Sequence, residues 1–118
     1  MLSLSHKNLA VWKQAIDFVT QVYRITEKFP KDELYGLTNQ LRRAAVSVPS
    51  NIAEGASRKP VKDRRRFYEI ARSSLVEIDT QLEISVKLGL MKESGLSDVY
   101  EELNHLFALI SNLIQSTR

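Results

Sequence analysis

The chain has 118 residues, of which 43% are hydrophobic and 26% charged, and its formal net charge is +3. This size and balance are typical of one globular domain with one core, so we expect a single domain over residues 1–118. The absence of cysteine excludes disulfides, thiolate zinc sites and a cysteine nucleophile, which fits a reducing compartment.

Export and membrane insertion are not indicated by the hydropathy pattern. The N-terminal segment has no apolar stretch long enough for a signal sequence. The longest uninterrupted apolar run, Leu106 to Ile110, is far shorter than the roughly 20 residues that a membrane-spanning helix needs. We therefore expect a cytoplasmic protein with no membrane partner.

The first predicted helix runs from about Asn8 to Phe29, because Pro30 disfavours helical geometry in the residue before it. Its apolar residues form two stripes at spacings of three and four, one from Leu9 to Thr26 and one from Val11 to Phe29. Such a wide apolar arc predicts one stripe in the core and the other in a subunit interface. We assign Val11, Phe18, Val22 and Ile25 to the interface; the alternative is a helix buried within its own bundle.

The second predicted helix begins after the acidic pair Asp32 and Glu33, whose charges suit a helix N-terminus. Pro49 interrupts its apolar stripe and lacks the N–H that an unbroken helix needs. Because apolar periodicity resumes at Ile52, we predict a helix kinked at Pro49 that continues to Gly55. Small residues on both sides of the proline predict close packing against a neighbouring helix.

Two further helices complete an all-α chain. The third is expected from Pro60 to Leu88, with Gly89 as its C-terminal stop, and the fourth begins near Ser97 or Ser94. Connections this short between long helices place neighbours antiparallel. The sequence therefore predicts an up-down-up-down antiparallel four-helix bundle.

Several motifs along the chain resemble one bacterial family. They are Leu9-Ala10-Val11-Trp12, Phe29-Pro30, Glu33-Leu34-Tyr35-Gly36-Leu37, the segment RRAAVSVPSNIAEG from Arg42 to Gly55, Ile70-Ala71 and Ser74-Leu75. This pattern resembles the four-helix bundle proteins encoded in 23S rRNA intervening sequences, which are similar to the accessory protein of diversity-generating retroelements. The resemblance implies a barrel-like homopentamer and a family without a demonstrated activity; for the retroelement protein it implies nucleic-acid binding.

A basic run marks the start of the third helix. Between Arg58 and Arg66 the residues Arg58, Lys59, Lys62, Arg64, Arg65 and Arg66 face a single acid, Asp63. Arginines beside the free N–H groups of a helix N-terminus suit phosphate binding, so we predict a nucleic-acid surface, extended by Arg42, Arg43 and Arg72. The alternatives are a solvated helix face and a scaffold that presents this surface to an acidic protein partner.

Catalysis is not expected from this sequence. A di-iron bundle needs two Glu-x-x-His motifs and two further glutamates, and the chain has one such pair, Glu102 and His105. No phosphate-binding glycine loop or nucleophile elbow is present. We therefore predict no enzyme activity, no metal, no cofactor and no small-molecule substrate.

Glu54, near the end of the second helix, is also assigned to the oligomer interface. A glutamate among small residues can pair with an arginine of its own chain or of a neighbouring subunit, and either pairing would help to fix the register of an assembly. For Arg43 we leave open a place at a subunit boundary or in a central channel.

Overall fold

The computed structural model describes residues 1–118, apart from the side chain of Asn8. It consists of four α-helices and three short 3₁₀ turns. The helices are α1 (Ala10–Thr26), α2 (Leu37–Ser57), α3 (Val61–Lys87) and α4 (Ser97–Ser116), and the turns are Ser5–Asn8, Lys31–Glu33 and Glu93–Leu96. Among the described residues, none of the helices has the length and low charge needed to cross a bilayer.

Helix α1 is shorter at both ends than the sequence pattern predicts. Asn8 belongs to the first 3₁₀ turn, and the helix begins at Ala10; a capping role of the Asn8 side chain lies outside the described residues. At the other end the helix stops at Thr26, and the Phe29 N–H bonds to the Thr26 carbonyl at 3.0 Å in a turn before Pro30. The Thr26 hydroxyl donates back to the Val22 carbonyl at 2.8 Å.

Helix α2 begins later than expected, because the residues around Asp32 form a separate turn. The Glu33 carboxylate reaches forward and accepts a 3.3 Å hydrogen bond from the Leu37 N–H, so it acts on the helix N-terminus from outside the helix. The helix then continues through Pro49, which is buried, to Ser57. Continuation past the proline is confirmed, and a bend at Pro49 stays a prediction.

Two polar groups support α2 close to this proline. Asn51 donates to the Ser47 carbonyl at 2.8 Å and to the Ser47 hydroxyl at 2.9 Å. The Ser47 hydroxyl also lies 2.9 Å from that of Ser74, which joins the middle of α2 to the middle of α3. These contacts use small polar side chains at the helix–helix seam, so the two backbones can approach closely.

The end of α3 follows the predicted stop closely. Gly89 has a φ of +76°, and its N–H bonds to the Val86 carbonyl while the Leu90 N–H bonds to the Ser85 carbonyl, both at 3.0 Å. Helix α4 begins at Ser97 directly after a 3₁₀ turn, without a side-chain hydrogen bond at its N-cap, Leu96. The predicted start of the fourth helix near Ser97 is confirmed.

The helices are arranged as an up-down-up-down bundle in which each helix packs on the next and α4 returns to α1. This confirms the predicted fold class. The core draws on all four helices: Ala15, Phe18, Val22, Leu41, Ala45, Val48, Ile52, Ala71, Leu75, Ile78, Leu82, Leu106 and Ile110 are fully buried. Gly55 brings α2 against α3, since a Cβ built there would lie 2.6 Å from Cε1 of Tyr68.

The assignment of one α1 stripe to a subunit interface is corrected by this packing. Phe18 and Val22 have no exposed surface in the single chain, and Val11 is 8% exposed, so all three belong to the core of the chain itself. Ile25 is half-buried and packs against that core. For Val11, Phe18 and Val22 the prediction was wrong, because both stripes are largely apolar and only the positions of α2 and α4 determine which one faces inward.

Candidate nucleic-acid interface

Charge is divided unequally between the two ends of the bundle. We divide the molecule at the middle of each helix and call the half that contains the α2–α3 connection the basic end; it comprises residues 1–17, 49–72 and 106–118. It has ten lysines and arginines and four acidic residues, a net charge of +6. The other half, here called the acidic end, comprises residues 18–48 and 73–105, with seven basic and ten acidic residues and a net charge of −3.

The predicted basic run lies at the tip of the basic end. Arg58 and Lys59 occupy the connection after α2, and Lys62, Arg64, Arg65 and Arg66 lie in the first turns of α3. All are exposed except Arg64, which is half-buried. The first intrahelical amide bond of α3 is that of Arg64 to the Pro60 carbonyl, so the preceding N–H groups of the helix point out beside these side chains.

Some of the predicted cations are held by the protein itself. Arg65 Nε donates to the Thr117 carbonyl at 3.0 Å, and Arg72 Nη1 donates to the Ser111 hydroxyl at 3.2 Å; both bonds tie α3 to α4. Arg58 Nη2 pairs with Glu54 Oε2 at 3.1 Å, and its guanidinium lies 4.9 Å from the centre of the Phe67 ring. These arginines therefore have structural contacts whether or not a ligand is present.

Other cations of the run have no such contacts. Among the described residues, the side chains of Lys59, Lys62 and Arg66 take part in no hydrogen bond or ion pair, and all three are exposed. Lys62 and Arg66 are four residues apart and lie on one side of α3. The structure thus places three exposed cations without a side-chain partner at one tip of the bundle, and the buried Nε of the half-buried Arg64 likewise has no hydrogen-bond partner among the described residues.

The two arginines of α2 lie elsewhere. Arg42 and Arg43 are in the N-terminal half of α2, at the acidic end, so they do not extend the basic run as a single stripe. Arg42 Nε donates to the Thr26 hydroxyl at 2.9 Å, and its guanidinium stacks 4.5 Å from the centre of the Tyr23 ring, which ties α2 to α1. Arg43 is exposed and lines two shallow grooves, one towards α1 and one towards α3.

Glu54 pairs within its own helix. Its partner Arg58 is four residues later, and the two side chains are 54% and 47% exposed. This contact realises one of the two pairings expected from the sequence, the one with an arginine of the same chain. A role in an oligomer interface stays a prediction.

A groove between α1 and α2 is lined by apolar residues of α1 that are not fully buried in the core. Trp12, Ile16 and Val19 face Val46, Pro49 and Ala53 across a volume of about 390 Å³. Ile16 is 39% exposed and Val46 is 42% exposed. The sequence pattern shows both stripes, but the residues assigned from it to an interface include Phe18 and Val22, which are buried within the chain.

The pair Glu102 and His105 lines a polar groove between α4 and α1, together with Gln14, Asp17 and Gln21. Across the described residues, no three His, Cys, Asp or Glu side chains come together in a way that would hold a metal ion. His105 is exposed, and its ring makes no hydrogen bond among the described residues. The groove is lined by polar and charged side chains of both helices.

Comparison with known families agrees with this architecture. The family model of the 23S rRNA-intervening sequence proteins matches residues 7–112, which is nearly the whole chain and includes all of α1, α2 and α3. The chain belongs to this family. The resemblance found in the motifs around Arg42 to Gly55 is thereby confirmed at the level of the family, and the likeness to the retroelement accessory protein stays a prediction.

A solved structure shares the fold. It is a protein of unknown function from the S23 ribosomal protein family of Bacteroides thetaiotaomicron, with a TM-score of 0.80 and 15% sequence identity. The alignment covers 91% of this chain and 100% of that one. None of the curated proteins with which the chain was compared matches it. The family and the fold are thus shown, and the comparisons carry no catalytic residue to this chain.

Proposed function

We propose that this member of the 23S rRNA-intervening sequence family is a non-enzymatic homo-oligomer that binds RNA or DNA through the basic end of its bundle. The observation that supports nucleic-acid binding is the group Lys59, Lys62 and Arg66: three exposed cations whose side chains have no partner among the described residues, beside the open N–H groups of α3. Exposed cations that are not neutralised within the protein are the ones that release counterions when they meet phosphates.

The expected mode of binding is led by the phosphate backbone. No helix of the bundle offers a recognisable base-reading module, and the untied cations are long, flexible lysines and one arginine. Such contacts give affinity that depends strongly on salt and weakly on sequence. With three phosphates contacted per subunit, the slope of log K against log salt is expected to be about −2 to −3 for each subunit engaged.

The experiment measures the affinity of the pure protein for fluorescent structured RNA and duplex DNA from low to physiological salt. The test variant replaces Lys59, Lys62 and Arg66 by glutamate, which spares the arginines tied to α4. The matched control replaces Lys28, Lys31 and Lys92, exposed lysines of the acidic end, by glutamate and changes the net charge equally. Binding that is lost in the test variant and largely retained in the control supports the proposal.

Two results would contradict the proposal. Equal weakening in both triple variants would show that only the total charge matters and that the basic end is no site. No binding at low salt by the wild-type protein would make the basic end a solvated surface and would direct the search to protein partners.

The proposed assembly uses the groove between α1 and α2. Trp12, Ile16, Val19 and Val46 form an apolar surface that the single chain leaves partly exposed, and a second copy of the chain would cover it. The number five rests on the resemblance to the intervening-sequence proteins. We therefore expect a native mass five times the 13.5 kDa of the chain.

Replacing Ile16 by aspartate tests this assignment. The variant is expected to keep its helical content and to lose mass in native mass spectrometry, because a charge in an apolar contact between subunits is costly to bury. Aspartate at Phe18, one stripe away, is expected to unfold the chain. A variant with aspartate at residue 16 that keeps the full mass of the assembly would refute the proposed interface.

A further inference from the structure

At the acidic end, a second groove lies where α3 finishes and α4 starts, and the proposed function makes no use of it. Its volume is about 490 Å³, and Ile84 and Leu88 lie on its α3 side while Glu93 and Tyr100 close it from the turn before α4 and from α4 itself. It is separate from the α1–α2 groove, since the two share no lining residue.

The floor of this groove is apolar and open. Leu88 is 61% exposed and Ile84 is 42% exposed. The two are four residues apart and therefore neighbours on one side of α3, so they form one continuous apolar strip. A strip of this kind at a helix end, with polar groups around it, is typical of a contact surface for another chain.

The rim of the groove has more acidic than basic side chains. Glu83 and Glu93 line it, and burial together with the carboxylates of Asp79, Glu83 and Glu93 raises the pKa of the Tyr100 phenol above its usual value. Lys87 also lines the groove and has no ion pair with these acids among the described residues. The surrounding half of the bundle has a net charge of −3, so the local field favours a cationic occupant.

We propose that this groove docks a basic amphipathic helix of a partner protein, with apolar side chains placed on Ile84 and Leu88 and with lysines or arginines facing Glu83 and Glu93. Laying the apolar face of a helix into a groove uses anchors spaced by three, four and seven residues, and flanking charges then select the partner. This proposal goes beyond the proposed nucleic-acid function and does not rest on it.

The chain itself does not supply this occupant from its basic run. Between Val46 and Ile70, no large hydrophobic side chain is exposed in the described structure. Arg58 to Arg66 therefore offer positive charge without the apolar anchors that the groove would hold. A protein partner with both features on one helix fits better than a second copy docked through its basic end.

The test uses a synthetic helical peptide with leucines at every third and fourth position and lysines on both flanks. Its isomer of the same composition, with the leucines spread around the helix, controls for simple charge attraction. Fluorescence anisotropy should show the amphipathic peptide binding at least about tenfold more tightly than the isomer. Replacing Leu88 by glutamate should weaken binding by about tenfold or more, since it removes the central exposed anchor.

Two further variants keep the result interpretable. Changing Glu83 and Glu93 to lysine should weaken binding of the basic peptide, while the glutamate variant at Lys59, Lys62 and Arg66 should leave it unchanged. Equal binding of the two peptides, or unchanged binding by the Leu88→Glu protein with intact helical content, would overturn the proposal. A drop in native mass for Leu88→Glu would also overturn it, because the groove would then be filled by a second copy.

Discussion

The basic end and the acidic end of this bundle differ in how their charges are arranged along the chain as well as in sign. Most of the positive charge at the basic end comes from one short segment, Arg58 to Arg66. The acidic groove instead joins residues from two helices and a turn, such as Glu83, Glu93 and Tyr100. One surface is visible as a run in the sequence, and the other is assembled only by folding.

The basic end contains both charged side chains that contact the rest of the protein and charged side chains that do not. At the basic end, Arg58, Arg65 and Arg72 make specific contacts with the chain, whereas Lys59, Lys62 and Arg66 make none among the described residues. A run of positive residues is therefore a mixture of structural and available cations.

The largest effect on stability is expected at Gly55, where α2 packs closely against α3 at the basic end. A Cβ there would lie 2.6 and 2.8 Å from atoms of the Tyr68 ring, which is 1% exposed, and 3.0 Å from the Arg64 carbonyl. Alanine is the better helix former by about 1 kcal/mol. Overpacking outweighs this gain, so Gly55→Ala should lower the free energy of unfolding by about 1–3 kcal/mol.

Gly95 at the acidic end provides the matched control. A Cβ at this position meets nothing within 4 Å, and the backbone φ is not positive. Gly95→Ala should change the free energy of unfolding by less than about 0.5 kcal/mol. Urea denaturation gives the free energy of unfolding of both variants. Equal values would show that the contact between α2 and α3 tolerates the extra methyl group.

The next effect separates structural from available arginines. Arg72 is half-buried, donates to Ser111 and lies 5.7 Å from the Phe107 ring, so Arg72→Met should lower the free energy of unfolding by about 1 kcal/mol. The same substitution at the exposed Arg66 should stay within about 0.5 kcal/mol. Thermal denaturation provides the measurement, and a larger loss at Arg66 would reverse the assignment of the two arginines.

A smaller effect concerns Tyr100 at the acidic end. Burial, and then the nearby carboxylates, raise the pKa of its phenol above the ordinary value of 10.0. The neutral phenol therefore contributes stability that is fully present below about pH 10 and is lost as the pH rises through the raised folded-state pKa. Absorbance titration of the phenolate should show that Glu83→Gln lowers this pKa. An unchanged pKa would show that the Glu83 carboxylate does not act on the Tyr100 phenol.

The smallest effect is expected from the ion pair of Glu54 and Arg58. Both side chains are about half exposed, so Glu54→Gln should cost only about 0.3–0.5 kcal/mol. The same change frees Arg58 and removes one negative charge, so affinity for RNA at low salt should rise slightly. Weaker RNA binding by this variant would mean that the pair holds the basic end in its binding geometry.

Much of the fold follows from local signals in the sequence. Gly89 stops α3 where a left-handed residue is needed, and the spacing of prolines and glycines yields four helices in the right order. The Glu33 carboxylate accepts a hydrogen bond from the N–H of Leu37, the first residue of α2, four positions later. Because the acidic pair lies before the helix and not in its first turn, the predicted start was too early. The exact ends of the helices depend on single contacts, so the sequence predicts them less accurately than it predicts the number and order of the helices.

The site was only partly predictable. The run from Arg58 to Arg66 is visible in the sequence, but the carbonyl that receives Arg65 comes from Thr117, 52 residues later. Periodicity found two apolar stripes on α1 and had no means to choose between Phe18 and Ile16, because burial depends on neighbouring helices. The acidic groove joins segments whose individual charges are unremarkable, so no local pattern indicated it.

Hydrogen exchange with mass spectrometry on residues 1–118, with and without a saturating single-stranded RNA at low salt, locates the surface that binds nucleic acid. The account predicts slower exchange in peptides that cover Arg58 to Arg66, and unchanged exchange in peptides that cover Glu83 to Tyr100. Protection at the acidic end, or protection spread equally over both ends, would contradict binding of nucleic acid by the basic end.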